Sequence, residues 1–325
     1  MDENITKLVK DLEKKYGKGV VVDTSAIPEK FPCYSSGSIH LDKILGGGYP
    51  KKRIVEIYGP EASGKTTLAL HAVAEVQKIG ENVGYIDVEN ALDASYATRL
   101  GVNMNDMILS QPDSGEQALD VVEALAKSGL IRLIIIDSVA ALVPQAELDG
   151  EMGDMNMGLQ ARMMSKAMRK LSRIVNEADC TLIFINQIRE KIGVMYGNPE
   201  TTTGGRALGF YSSIRLDVRK GEAIKNGSEF IGHKLNVKTA KNKLYPPFKT
   251  TKLDVIYGKG INLAGEILDK AVELGIVEKT GAWYSYNGER LGQGRENAYT
   301  YIQENDLLQV LKDTISKDEN KAIEA

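Results

Sequence analysis

The chain has 325 residues, 42% hydrophobic and 26% charged, with a net charge of −3. That length can bury one large core plus a smaller one, and no run approaches the ~18 uninterrupted apolar residues a membrane helix needs; with the acidic opening Met1-Asp2-Glu3-Asn4, unlike a basic signal-peptide start, the expected location is the cytoplasm and no membrane partner is expected. Cys33 and Cys180, with His40, His71 and His233, are scattered without ligand spacing, which argues against a disulfide framework or zinc site, and the charge balance requires any nucleic-acid surface to be a local patch.

Ile5, Leu8, Val9 and Leu12 recur at helical spacing, so a short N-terminal helix is predicted; alone it cannot fold, and it must dock on its own core or on a neighbouring subunit. After a linker ending near residue 32, strand-like runs alternate with amphipathic helices to about residue 257. The runs are Ile54 to Tyr58, Val83 to Val88, Leu133 to Asp137, Thr181 to Asn186, Ile214 to Val218, Leu235 to Thr239 and Leu253 to Tyr257. The alternation predicts an α/β fold with a largely parallel sheet and late antiparallel strands. From 258 onward the aromatic segment Trp283-Tyr284-Ser285-Tyr286 and a closing helix from about Glu296 to Ile315 predict a small α+β domain, followed by a solvated tail from Ser316.

The most specific signal lies between the first strand and its helix. Gly59-Pro60-Glu61-Ala62-Ser63-Gly64-Lys65-Thr66 fits G-x-x-x-x-G-K-[ST], a loop whose glycines let backbone N–H groups wrap phosphate oxygens at a helix N-terminus. Lys65 is positioned to neutralise β and γ phosphates, and the Thr66 hydroxyl to bind Mg²⁺. Asp137 ends an apolar strand and is the expected second magnesium holder, directly or through water; an acid at that position otherwise caps a turn. Glu89, closing the strand Tyr85 to Glu89, could orient an attacking water or cap the next turn.

Further along, Arg162, Lys166, Arg169 and Arg173 form a basic stripe opposite the apolar stripe Met164, Met168, Leu171 and Val175. Such a charged stripe is by itself usually a solvated face. Two glycine-bearing loops flank it, Asp149 to Gly158 and the long segment Ile188 to Gly205, the second bracketed by Arg189, Lys191 and Arg206. Together they suggest a strand of nucleic acid held through its backbone rather than by base readout.

From about Lys7 to Asn305 the chain closely resembles the bacterial RecA recombinase family. The resemblance is carried by the phosphate loop through Thr67, by Gly153-Asp154-Met155-Asn156-Met157-Gly158-Leu159-Gln160-Ala161-Arg162, by Ile185-Asn186-Gln187-Ile188-Arg189, and by the run Lys191 to Gly205, which ring helicases on the same core do not carry. It implies a RecA-like core, with residues 1–32 as oligomerisation helix and linker, 33–257 as ATPase core and 258–325 as small C-terminal domain and tail. It further implies ATP-bound filaments on single-stranded DNA that pair with and exchange into homologous duplex DNA, with single-strand-binding and mediator proteins as further partners.

By the same resemblance Glu89 is the general base, Asp93 and Tyr96 contact adenine, Tyr257 belongs to the nucleotide site, and Gln187 senses the γ-phosphate. Met157 in the first DNA loop, and Ile192, Gly204 and Gly205 in the second, join Arg162, Arg169, Arg189, Lys191 and Arg206 as DNA contacts. Lys241 and Lys243 reach the nucleotide of the adjacent subunit, and Phe210 lies at that interface. Two departures stand out. Gly209 replaces the family's usual lysine, and the ending Lys317-Asp318-Glu319-Asn320-Lys321 is mixed in charge where the family has a long acidic tail, which predicts readier duplex binding at low Mg²⁺. The alternatives are a translocating ring helicase and a filament-forming protein for which ATP is only a structural ligand.

Overall fold

The computed structural model describes residues 3–17, 20–21, 30–151, 153–154, 156, 158–190, 197 and 199–324. The expectations placed on Met157, Lys191 and Ile192 lie outside the described residues. The chain divides into two compact units, Met1–Pro32 and Cys33–Ala325. In the first, α1 (Glu3–Tyr16) presents Ile5 and Leu8 to solvent, at 48% and 58% exposure.

The second unit opens with β1 (Cys33–Tyr34), α2 (Ile39–Leu45) and β2 (Tyr49–Pro50), the two strands paired antiparallel. The phosphate-loop strand β3 (Ile54–Gly59) leads into α3 (Lys65–Lys78). Then come β4 (Asn82–Asp87), α4 (Ala94–Arg99), β5 (Met107–Ser110), α5 (Gly115–Lys127), β6 (Ile131–Asp137), α6 (Gln145–Leu148), α7 (Leu159–Glu177) and β7 (Thr181–Glu190). The chain continues through β8 (Glu200–Thr202), α8 (Ala207–Tyr211), β9 (Ile214–Asn226), β10 (Glu229–Asn242), β11 (Thr250–Ile256) and β12 (Gly260–Ile261). The main sheet runs β12-β11-β10-β9-β3-β7-β6-β4-β5, with β8 paired to β7. The strands from β9 to β5 in that order pair parallel, and β10, β11 and β12 are added antiparallel.

Both faces of the sheet are covered, so the central strands are apolar on both sides. Val55, Ile57, Leu133, Ile135, Ile183 and Ile185 pack with the α3 residues Leu68, Val73 and Val76. Their alternates Ile54, Ile134, Ile136, Leu182 and Phe184 pack with α5 and with the α7 stripe Met164, Met168, Leu171 and Val175. Each fully buried side chain of this kind contributes roughly 1.5–3 kcal/mol. Glu56 breaks the pattern, a fully buried carboxylate in the middle of β3.

Four local expectations are revised. β5 at the sheet edge has no counterpart among the expected strands. β7 runs past Asn186 to Glu190 and pairs antiparallel with β8, Ile188 opposite Thr202, so the irregular part of the Ile188–Gly205 loop is shorter than its composition suggests. β9 and β10 extend as a long hairpin turning at Gly227; their outer halves are mostly exposed, so they lack the buried alternation that marks the inner halves. The closing helix is two, α10 (Arg295–Glu304) and α11 (Leu307–Glu324), broken where Asp306 takes a φ of 53°; the backbone stays helical through the expected tail.

A third apolar cluster is built by α9 (Leu263–Glu273), α10, α11 and the small sheet β13 (Glu278–Thr280), β14 (Trp283–Tyr286) and β15 (Glu289–Gln293). It is tied back to the first elements by Glu266. The Ser38 hydroxyl, which also caps α2 by accepting from the Leu41 amide, donates to the Glu266 carboxylate with the two oxygens at 2.8 and 2.9 Å. Arg295 adds ion pairs of 2.8 Å to Asp254 of β11 and to Asp269 of α9.

Candidate active site

β3 ends at Gly59, where an added Cβ would lie 2.0 Å from the Val218 carbonyl oxygen of β9, so the chain can leave the sheet here only without a side chain. The loop enters α3 through Gly64 at φ 85°, a left-handed cap that glycine adopts without strain. The first-turn amides of α3 have no intrahelical acceptors and concentrate positive potential at the loop. Lys65 is folded inward, its ammonium donating to the carbonyls of Gly59 (3.2 Å) and Pro60 (2.6 Å), and burial lowers its pKa while Asp137, Glu89 and Glu61 act against that. The Ser63 hydroxyl is buried with no hydrogen-bond partner. A loop that satisfies its lysine with its own carbonyls and leaves a hydroxyl unpaired fits an anion of phosphate size.

Around this loop the sheet's carboxyl edge brings three acids together. Asp137 accepts from the Thr66 hydroxyl and from the Tyr85 hydroxyl, each at 2.8 Å, and burial raises its carboxyl above the ordinary range. Among the described residues no cluster of three or more His, Cys, Asp or Glu side chains could hold a metal by itself. The Thr66–Asp137 pair fits Mg²⁺, which is bound through one or two carboxylates completed by substrate phosphates and water.

Glu89 stands in the turn after β4, not on the strand. Asp87 fastens that turn, accepting from the amides of Ala91 (3.1 Å) and Leu92 (3.2 Å) and from Gln111 (3.1 Å). Glu89 itself accepts from the Ser138 hydroxyl and from the Gln187 side-chain amide at 3.3 Å. Asp93 caps α4, accepting from the amides of Ser95 and Tyr96, and the Tyr96 hydroxyl is 3.0 Å from that of Thr67. A cavity of about 340 Å³ is lined by Gly64, Lys65, Thr66 and Thr67 together with Tyr96, His233 and Tyr257.

The remaining candidates lie elsewhere. Lys241 donates to the carbonyls of Gly209 (2.7 Å) and Phe210 (2.9 Å), and burial, with Lys243 and Arg215 adding repulsion, lowers its pKa to about 8. Phe210 is 69% exposed, and Lys243 is exposed. Antiparallel pairing carries β10 away from the phosphate loop: Leu235 packs beneath Gly64 (3.1 Å from its would-be Cβ), and Lys241 stands about 20 Å further along the strand. Arg162 and Arg169 on α7, Arg189 at the end of β7, and Arg206 before α8 are all exposed. Gly204 and Gly205, at φ 76° and 77°, press on the turn after β6 and on α7, with would-be Cβ atoms 2.8 Å from Val139 and Ala161 respectively. Gln160 pins the pair, accepting from the Gly204 amide and donating to the Val139 carbonyl.

Between the two regions runs a polar chain whose roles the motifs did not reveal. Arg215 pairs with buried Glu56 (2.5 Å), Asn186 donates to Glu56 (2.9 Å), and Thr203 donates to Asn186 (2.5 Å). Its sequence signal was Glu56 itself, an acid inside an otherwise apolar strand. Ser138 and His233 were missed too; the first adjoins Asp137, whereas nothing near the second marks it.

Comparison with known proteins covers most of the chain. The RecA N-terminal domain family matches residues 3–262, and the RecA C-terminal domain family matches residues 265–318. A protein named Protein RecA from Limosilactobacillus reuteri (strain DSM 20016) is 58% identical over 310 residues, 94% of this chain and 86% of its own length. Proteins of the same name from Enterococcus gallinarum and Bacillus licheniformis are 57% and 56% identical over 298 and 310 residues, covering 91% and 94% of this chain and 86% and 89% of theirs.

Proposed function

This chain belongs to the RecA family, and from that premise we propose how its own residues carry the family's work. The activity is single-stranded-DNA-dependent ATP hydrolysis by subunits assembled as a filament, which pairs and exchanges homologous strands in recombination and repair. The phosphate loop Gly59 to Thr67 holds the ATP phosphates, with Lys65 as the neutralising charge. Tyr96, Asp93 and Tyr257 hold the base end. Thr66 and Asp137 hold Mg²⁺, which when bound neutralises phosphate charge. Glu89 orients the attacking water and takes its proton, and Ser138 and Gln187 fix that carboxylate in place.

The observation that carries this reading is Gln187. Its side chain donates to Glu89 at the loop's mouth while its strand runs on as Ile188–Glu190 into the β7–β8 hairpin, so a shift at the catalytic acid and a shift in the DNA-facing hairpin share one rigid element. Arg162, Arg169, Arg189 and Arg206, with Gly204 and Gly205 and with Met157, Lys191 and Ile192 in the same loops, form the DNA surface. Lys241 and Lys243 stand too far along β10 to reach their own chain's phosphates and serve the neighbour's, beside Phe210 at the subunit contact. The division into 1–32, 33–257 and 258–325 belongs to the same proposal, supported by the third apolar cluster, as do the cytoplasmic location and single-strand-binding and mediator proteins as partners. No described helix is long and apolar enough to cross a membrane.

The test compares wild type with Glu89→Gln for ATP hydrolysis, with and without single-stranded DNA, and follows filament formation by light scattering. Glutamine keeps an oxygen for Ser138 and Gln187 but cannot take the proton, so turnover is expected to fall about 10²–10⁴-fold while filaments still form. If DNA leaves wild-type turnover unchanged, the loop assignment fails.

A further inference from the structure

Two hydroxyls converge on one oxygen of Asp137. Thr66 Oγ1 and Tyr85 Oη each donate to Oδ2 at 2.8 Å, and among the described residues no donor reaches Oδ1. A carboxylate oxygen has two lone pairs, so these bonds fill Oδ2 while Oδ1 keeps both of its own. Thr66 belongs to the phosphate loop. Tyr85 belongs to no motif and stands one strand over, on β4.

The sheet puts it within reach. β4 and β6 pair parallel, with Tyr85 opposite Ile135 and Asp87 opposite Asp137. Side chains alternate along a strand, so Asp137 faces the same side as Ile135, and Tyr85 and Ile135 share the core covered by α3. Tyr85 therefore starts two residues, about 7 Å, short of Asp137 along the strand and about 5 Å to one side. Only a side chain as long as tyrosine's bridges that gap with a hydroxyl at its tip. Tyr85 is 1% exposed, and close packing holds the ring and with it the donor.

Mg²⁺ demands near-ideal octahedral geometry, so it is sensitive to how a carboxylate is turned. The last torsion of an aspartate is broad and roughly two-fold. Thr66 gives only one point of attachment, and its own oxygen is needed by the metal. The Tyr85 hydroxyl gives a second point, anchored in the core, as hydrogen bonds behind metal ligands commonly do.

We propose that Tyr85 is a positioning residue for Mg²⁺: by fixing Asp137 through Oδ2 it keeps Oδ1 as the oxygen offered to the cation or to water bound to it, and so strengthens the magnesium-dependent part of nucleotide binding. The inference rests on Thr66 and Asp137 holding Mg²⁺. It goes beyond that reading in assigning their alignment to a core residue outside the phosphate loop.

The test is binding, not turnover. ADP affinity of the full chain without DNA is measured by calorimetric titration in saturating Mg²⁺ and in EDTA, for wild type and for Tyr85→Phe, which removes the hydroxyl and keeps the ring. The quantity read is the factor by which Mg²⁺ tightens ADP binding. One net hydrogen bond is worth about 2- to 12-fold in affinity, so Tyr85→Phe is expected to lower that factor by about as much, with affinity in EDTA unchanged. A variant that keeps or exceeds the wild-type factor overturns the positioning role. So does one that loses affinity equally with and without Mg²⁺, the pattern a merely structural tyrosine would give. A wild-type factor of one overturns instead the magnesium reading of Thr66 and Asp137, and the inference with it.

Discussion

The buried pair Glu56–Arg215 predicts an unequal response to losing either partner. Glu56 is fully buried between β7 and β9, held by Asn186 on one oxygen and Arg215 on the other, whereas the Arg215 side chain is 26% exposed and lies 4.7 Å over the Tyr58 ring. Arg215→Leu strands a buried carboxylate on one neutral donor, a loss of about 3–5 kcal/mol. Glu56→Gln removes the charge but keeps the Asn186 bond, and the freed guanidinium can turn to water, so the loss is nearer 1–2 kcal/mol. With about 2.1 cal/mol/K per residue over a unit of about 290 residues, unfolding entropy is about 0.6 kcal/mol/K. The expected drops in Tm are then about 5–8 °C and about 2–3 °C, measured by differential scanning calorimetry. The reasoning fails if Glu56→Gln is the more damaging change, or if Arg215→Leu melts within about 2 °C of wild type.

Three further outcomes are expected. Burial raises the Glu266 carboxyl to about 7 from 4.5; folded Glu266 therefore holds its proton more tightly than unfolded, and its contribution is most favourable below pH 4.5 and is lost as pH rises through 7. Glu266→Gln should flatten that decline and raise stability at pH 8 by no more than about 3 kcal/mol, read as a higher melting temperature; identical pH profiles for both proteins refute it. Gly204→Ala must place a Cβ 2.8 Å from Val139 and 3.2 Å from Met164 at a left-handed φ, costing about 1–2 kcal/mol for the backbone alone, and should weaken single-stranded DNA binding in fluorescence anisotropy while calorimetric ATP affinity holds. Lys243→Ala should lower DNA-stimulated hydrolysis while a dilute subunit keeps its nucleotide affinity; unchanged turnover counts against a site completed by the neighbour.

What could be read from the sequence was local. The phosphate loop, Asp137 at a strand end and Glu89 two residues past β4 announce themselves within a few positions, because strand, turn and helix N-terminus follow one another along the chain. The buried pair could not be read that way: Glu56 and Arg215 are 159 positions apart and meet only because β9 inserts beside β3. His233 approaches the phosphate loop for the same kind of reason, through the antiparallel return of β10, which also carries Lys241 to the far end of the sheet. The break between α10 and α11 falls at Asp306, with neither proline nor glycine to mark it, and the exposed outer halves of β9 and β10 hide the length of their hairpin.

The Ser38–Glu266 contact bears on how this chain could be divided. The two family matches part between residues 262 and 265, which invites exchange of the C-terminal segment between relatives. The cut falls just before the helix whose carboxylate engages the serine that caps α2, and it also separates Asp254 from Arg295. A hybrid made there would combine a hydroxyl and a carboxylate, and an acid and a guanidinium, from different parents. Only donors that carry the same four side chains should give soluble, fully folded chimeras, so the join between the two parts is a matched set of contacts and not a neutral seam.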